Sequence, residues 1–222
     1  MFTTAVSKKD QDWAIAIVNF CLEECIEDIL LHNQYFSCKA SEWWDKHVNN
    51  FYKQGLTLIH GATKICIIDD NNPDWVVKLG FEPQEPAAYR TEVLNFCEKE
   101  KNFYEQACRL GLGKYFAPTY QVGEVEGIKV FVQEREEVDE MVIEDSFREW
   151  CSESDQYSYS CSYDCYYDMS DEEIVWSIYG ESEETHRLND FLEINDIGDL
   201  HSQNWGINSH SGVVLIDYSG YC

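Results

Sequence analysis

The sequence predicts an α+β protein, on three observations. Apolar residues near the N-terminus recur at helical steps. Short β-rich runs then alternate with one helical stretch between residues 56 and 134. Helical spacing resumes from Asp171, and a pair of short strands follows near the C-terminus.

Ile15, Val18, Leu22, Cys25, Ile26 and Ile29 predict an amphipathic helix over 10–31. Ser41, a fair N-cap with Trp43 and Trp44 just inside it, predicts a second helix over about 41–52. Both read as a packing extension. Strands are predicted over 56–59, 64–68 and 75–79. Gly61 separates the first two, and the run Asp69-Asp70-Asn71-Asn72-Pro73 turns the chain between the second and third. This makes a β-meander. A helix over 91–110 follows, stopped by Gly111 and Gly113. Strands over 119–123 and 128–134 join through a turn at Glu126 and Gly127. Residues 136–198 carry about twenty acidic side chains against Arg148 and Arg187. Within them 151–168 is rich in Ser, Tyr, Cys and Asp and reads as a loop or insertion. Helices are predicted over 171–179 and 184–193, and strands over 204–207 and 213–216 around the turn 208–212.

With 44% hydrophobic and 14% aromatic residues, the chain is too apolar to be disordered despite its charge of −26. That charge opposes binding to nucleic acid or an anionic membrane. It suits a basic protein partner, including one met by a surface that copies the charge of DNA. It also repels free nucleotide, so a phosphate site needs divalent metal and local positive charge. The best membrane candidate, 13–31, is interrupted by Glu23, Glu24, Glu27 and Asp28. The N-terminus lacks an apolar signal core, so the ten cysteines are expected as reduced thiols in a cytoplasm. Cys21 and Cys25, like Cys161 and Cys165, stand four apart, which would put each pair on one helical face. No histidine pair accompanies them at zinc-ligand spacing. Cys97 and Cys108 are candidates for reactivity only if exposed beside cations.

The chemically richest stretch is Asp199-Leu-His-Ser-Gln-Asn204, followed after a turn by Val213-Val-Leu-Ile-Asp217. A loop presents a carboxylate, then an amide, and a strand delivers a second carboxylate. Phosphoryl transfer needs such a set: a carboxylate to position or deprotonate the attacking hydroxyl, and hard oxygen donors to hold magnesium. The words and spacings resemble the catalytic loop and metal-binding Asp of the protein-kinase-like superfamily, in a minimal bacterial or phage-type form. Gly198-Asp199-Leu200-His201 is closest to its aminoglycoside-phosphotransferase branch.

The resemblance covers roughly 55–135 and 185–219. It implies a two-lobed kinase-like fold: an antiparallel N-lobe sheet over 55–135 with one helix on it, and a truncated, mostly helical C-lobe over 136–222. A helical extension over 1–54 precedes them. It implies ATP with magnesium or manganese as cofactors, Asp199 as catalytic base, Asn204 and Asp217 as metal ligands, and His201 as a loop-structuring residue. Trp75-Val-Val-Lys78-Leu resembles the strand whose lysine grips the phosphates. Glu100 is its expected acidic partner, with Glu98 and Glu105 as alternatives. Gly61 stands in the phosphate loop. Gln133 and Glu134 lead into the hinge, where backbone groups meet adenine.

Departures accompany the match. The stretch His60-Gly61-Ala62-Thr63-Lys64 has one glycine where protein kinases have three. Ile197 replaces the histidine that usually opens the loop motif, and Tyr218 and Ser219 stand in the last two places of the D-F-G pattern. The sequence ends five residues after Asp217, so a familiar platform for a protein substrate is not expected. The expectations are therefore an ATP-dependent phosphotransferase, or alternatively a pseudokinase binding module or an acidic interaction protein.

Overall fold

The computed structural model describes residues 6–30, 38–61, 63–81, 95–153, 169–198, 200–210 and 212–219. It is a mixed α+β protein that divides into two units. One comprises Met1–Asn102 and Pro118–Arg135, the other Phe103–Ala117 and Glu136–Cys222.

The first unit is built on a five-stranded antiparallel sheet. Strands β1 (Leu56–His60), β2 (Lys64–Asp69) and β3 (Trp75–Gly80) form the expected meander, and β4 (Thr119–Val125) and β5 (Ile128–Glu134) a hairpin. The order β1-β2-β3-β5-β4 leaves β3 in the centre. Two local devices set the register. Asp69 Oδ1 accepts hydrogen bonds from the backbone N–H and side-chain amide of Asn71, an Asx-turn that reverses the chain into β3. Glu126 and Gly127 both take positive φ (50° and 87°), as a two-residue hairpin turn requires.

Alternation along the strands sorts side chains by face. Leu58, Ile65, Ile67, Val77, Leu79, Val130 and Val132 share one buried core with the N-terminal helices. Those helices are α1 (Lys8–Glu23), α2 (Glu27–Leu30) and α3 (Cys38–Lys53). They bring Ala14, Ile17, Val18, Trp43 and Phe51 to the sheet, each large apolar side chain contributing about 1.5–3 kcal/mol. A Cβ on Gly123 would lie 2.8 Å from Ile15 Cδ1, so the glycine allows α1 to approach β4.

Three expectations about these helices are corrected. The first helix stops at Glu23, because Cys25 adopts φ +57° and breaks it. Cys21 is buried and Cys25 exposed, so the pair does not share a helical face. Of the predicted apolar set Val18, Ile26 and Ile29 are buried and Ile15 and Leu22 pack against the core, and Ala14, Ile17 and Cys21 complete the buried stripe of α1. The second helix begins three residues before Ser41, which therefore lies in its first turn rather than capping it.

The other face of the sheet carries Lys64, Cys66, Lys78, Phe131 and Gln133, and α4 (Phe96–Arg109) lies over it through its first turns. Of the predicted helix over 91–110, residues 91–94 lie outside the described residues.

The second unit contains α5 (Glu140–Glu153), α6 (Asp171–Tyr179) and α7 (Glu183–Ile194), then a hairpin of β6 (Trp205–Ile207) and β7 (Val213–Leu215). Helix α5 was not expected. Its acidic composition hid Ile143, Phe147 and Trp150, which stand at four- and three-residue steps, and it overlaps the start of the predicted loop. Residues 154–168 of that loop lie outside the described residues. The acidity has a local logic. Glu140, the Asp171-Glu172-Glu173 run and Glu183-Glu184 all sit in first turns, where carboxylates complement the helix dipole. Ser170 and Ser182 close capping boxes on α6 and α7. No helix among the described residues is long and apolar enough to cross a membrane.

A polar knot pins the N-terminal helices. Glu24 Oε2 lies 2.7 Å from His47 Nδ1 and accepts from Asn50 Nδ2 at 2.9 Å, and the Glu24 carbonyl accepts from Trp43 Nε1. The bond to His47, then that to Asn50, hold the Glu24 carboxyl below its ordinary range. A lowered carboxyl stabilises the fold above its unfolded-state pKa and loses that contribution as pH falls through the folded value. Glu24→Ala should therefore lower the thermal midpoint at neutral pH by about 2–4 °C. Thermal melts against pH should show the gap to wild type closing below the ordinary carboxyl range.

Candidate functional site

In the first unit, two neighbouring strands and one helix converge on a single carboxylate. Lys78 Nζ donates to Glu100 Oε2 at 3.0 Å, and Lys64 Nζ donates to Glu100 Oε1 at 2.5 Å. Glu100 is wholly buried, and the two lysine side chains are 3% and 5% exposed. The register explains the convergence. Lys64 pairs with Gly80 and Cys66 with Lys78, so the two lysines are diagonal neighbours on one face. Asn95 aims the helix. Its Oδ1 accepts from the N–H groups of Cys97 and Glu98, while its Nδ2 donates to Gly80 O. The N-cap of α4 is thereby tied to the end of β3, which sets Glu100 over Lys78.

Of the three acidic residues considered for Lys78, Glu100 is the ion-paired one. Glu98 instead pairs with Lys129 of β5, 2.6 Å away in a part-exposed position. Cys97, one turn before Glu100, is fully buried. Burial first, and the Glu100 charge second, push its thiol far above the usual range, which argues against reactivity.

The remaining residues of this unit are placed as follows. Gly61 donates its N–H to Lys64 O at 2.9 Å, closing the β1–β2 turn. A Cβ there would meet that carbonyl at an ordinary 3.8 Å, so the turn's own packing does not demand glycine. Trp44 of α3 sets its ring edge-on to His60 at 4.7 Å, fixing the strand that enters the turn. Gln133 is buried, donates its amide to Thr119 Oγ1 and pairs with both Val76 and Thr119 in the sheet. Glu134 donates its N–H to Pro118 O, and burial raises its carboxyl above the ordinary range.

In the second unit the β6–β7 hairpin brings the end of the Asn204 loop to the strand that leads to Asp217. Trp205 pairs with Leu215, and Ile216 N–H donates to Asn204 O at 2.9 Å. Asn204 is thus set beside the residue preceding Asp217. The loop before it is braced by Trp205 Nε1 donating to Leu200 O and by Asn204 N–H donating to His201 O. A Cβ on Gly206 would lie 2.6 Å from Glu136 Cβ, so β6 requires the glycine for close approach. Beyond Asp217, Tyr218 is buried against Phe116 and donates its hydroxyl to Ala117 O at 2.7 Å. Ser219 Oγ donates to Asp217 Oδ1 at 3.3 Å. Asp199 lies outside the described residues. Its neighbours Gly198, Leu200 and His201 line a cavity of about 630 Å³ with Glu140, Glu144 and Asp171.

Lys64 is the residue that sequence reading passed over as a site candidate. Its signal was a lysine opening a strand that runs Ile-Cys-Ile-Ile before Asp69, two residues out of step with Lys78 across the meander. No protein-family model matches the chain, and no curated protein matches it.

Burial sets the energetic ranking of the two ion pairs of α4. Truncating Glu100 leaves two lysines buried without their shared carboxylate, so Glu100→Ala should cost about 3–5 kcal/mol of stability. Glu98→Ala removes a part-exposed pair and should cost less than about 1 kcal/mol. Chemical denaturation of both variants measures the difference.

Proposed function

We propose that the protein is an ATP- and magnesium-dependent phosphotransferase of the protein-kinase-like superfamily. The observation that carries this is the buried pair of Lys78 on β3 with Glu100 on the helix that follows. A strand lysine matched to a helix carboxylate is what that superfamily uses to hold nucleotide phosphates. The element order, three strands, a helix and two strands, supports the same reading. So does the hairpin that sets Asn204 beside the strand leading to Asp217.

The donor set suits the metal. Amide and carboxylate oxygens are hard ligands, and magnesium keeps waters and phosphate oxygens in its remaining positions. No cluster of three or more His, Cys, Asp or Glu side chains placed to hold a metal occurs among the described residues. A site completed by phosphate and water does not need one. When bound, ATP with its metal supplies the transferable phosphoryl group. Lys78 neutralises phosphate charge, and Glu100 holds the lysine in place. Asn204 and Asp217 hold the metal. Asp199 accepts the proton of the attacking hydroxyl. Asp217 is steadied by Ser219 and by the buried Tyr218 next to it.

The −26 charge favours a second reading, a binding module that docks a basic protein without chemistry. Calorimetry separates the two. Wild type should bind ATP in the presence of magnesium or manganese. Lys78→Met and Asp217→Asn should each weaken that binding about tenfold or more, at 1.4 kcal/mol per decade. No heat with either metal would leave the binding module standing.

A further inference from the structure

We propose that the cavity lined by Gly198, Leu200 and Ser202 is the acceptor site, and that it takes a small alcohol bearing a cationic nitrogen group. This deepens the phosphotransferase reading above and rests on it.

The cavity holds about 630 Å³ and is lined by residues of the second unit. Sites for small molecules usually span about 300–1,000 Å³. Ser202 lines it, two residues before the proposed metal ligand Asn204. Ser202 is 5% exposed, and its hydroxyl has no hydrogen-bond partner among the described residues. A buried hydroxyl left without a partner is costly. Here the missing partner is supplied when a ligand brings its own hydroxyl into the cavity. Ser202 can donate to that oxygen or accept from it. In the transfer, the acceptor oxygen bonds to the γ-phosphorus as the bond from that phosphorus to the ADP oxygen breaks. The hydroxyl proton passes to the base.

The rest of the lining sets the charge of the ligand. Glu140 and Glu144 come from α5 and Asp171 from the first turn of α6. A Cβ on Gly198 would lie 3.2 Å from Asp171 Oδ2, so that carboxylate is seated against the loop itself. Arg148 and Arg187 are the only arginines between 136 and 198, and that stretch has no lysine. Arg148 is shared by Glu144 and Asp145, and Arg187 donates to Leu110 O. Two carboxylates to one guanidinium leave that cluster negative, and Glu140 and Asp171 add to it. The net sign is therefore negative whatever other hydrogen bonds these carboxylates make. Such a wall attracts a cation and repels a neutral or anionic competitor's charge-bearing analogues. Residues 136–184 lie outside the stretches that resemble the kinase-like superfamily, so this wall is particular to the chain.

Calorimetry on the full chain tests this with matched probes: ethanolamine against ethylene glycol, and N-methylglucamine against sorbitol. At least one cationic alcohol should bind saturably, about fivefold or more tighter than its neutral counterpart. Glu140→Gln combined with Asp171→Asn should remove most of that preference. Should the double variant fail to fold, Glu140→Gln alone, at an exposed position, should still lower it. Ser202→Ala should weaken both members of a pair by a similar factor, about three- to tenfold. Its thermal midpoint should stay unchanged or rise, because the hydroxyl has no partner in the protein to lose. The cationic alcohol that binds should also stimulate ADP release from magnesium–ATP. Equal affinity for charged and neutral probes, or no saturable binding of any of the four, would overturn the proposal and leave the nucleotide reading to stand on magnesium–ATP binding. A cationic probe that binds without stimulating ADP release would overturn the acceptor role. Wild type that binds no magnesium–ATP would overturn that role together with the phosphotransferase reading. A large fall in thermal midpoint for Ser202→Ala would make its hydroxyl structural and remove it from the site.

Discussion

A carboxylate buried between a sheet and a helix, and claimed by two lysines, organises the first unit. Glu100 has no exposed surface, and its charge would be costly there without partners. Lys78 and Lys64 supply them from adjacent strands, so the pairing requires β2 and β3 in register and α4 at one height over them. The Asn95 cap secures that height by tying the helix start to Gly80. The helix, the central strand and the turn after β1 are thus joined by one electrostatic constraint. A slip of a single residue in β2 would turn Lys64 into the apolar core.

The opposite face is secured by burial rather than charge. The N-terminal helices cover Ile65, Ile67, Val77 and Leu79, so β3 is buried on both sides. Trp13 adds a hydrogen bond to Asp69, the residue that turns β2 into β3. The helices that precede the sheet in sequence therefore help hold the strand that carries Lys78. In the second unit the aromatic contacts of Phe116 with Phe191 and Tyr218 do comparable work for the segment carrying Asp217.

The acidity of the chain is distributed with purpose in the fold. Many carboxylates occupy helix first turns, where they stabilise the helices they open. The density of charge over 136–150 masks the helical spacing there, which is why α5 is not evident from composition. Its apolar residues are few and separated by charge, but Ile143 and Phe147 are both buried. The break after Glu23 escaped for a different reason. A cysteine in a left-handed conformation carries no sequence signal of the kind that glycine gives.

By itself the sequence determined the α+β class, the meander, the hairpin turn at Glu126 and Gly127, and the two capped helices α6 and α7. These depend on contacts between residues close in the chain: strand alternation, Asx-turns and capping boxes. It also singled out Asn204 and Asp217 by residue type, and Lys78 through the resemblance of the strand that carries it. The tertiary structure decided which carboxylate meets Lys78, because Glu98 and Glu100 differ only in the side of α4 they occupy. It alone brought in Lys64, since the pairing of β2 with β3 carries it to a carboxylate thirty-six residues away. Long-range pairing is set by strand register and helix placement together, and neither can be read from a local stretch of sequence.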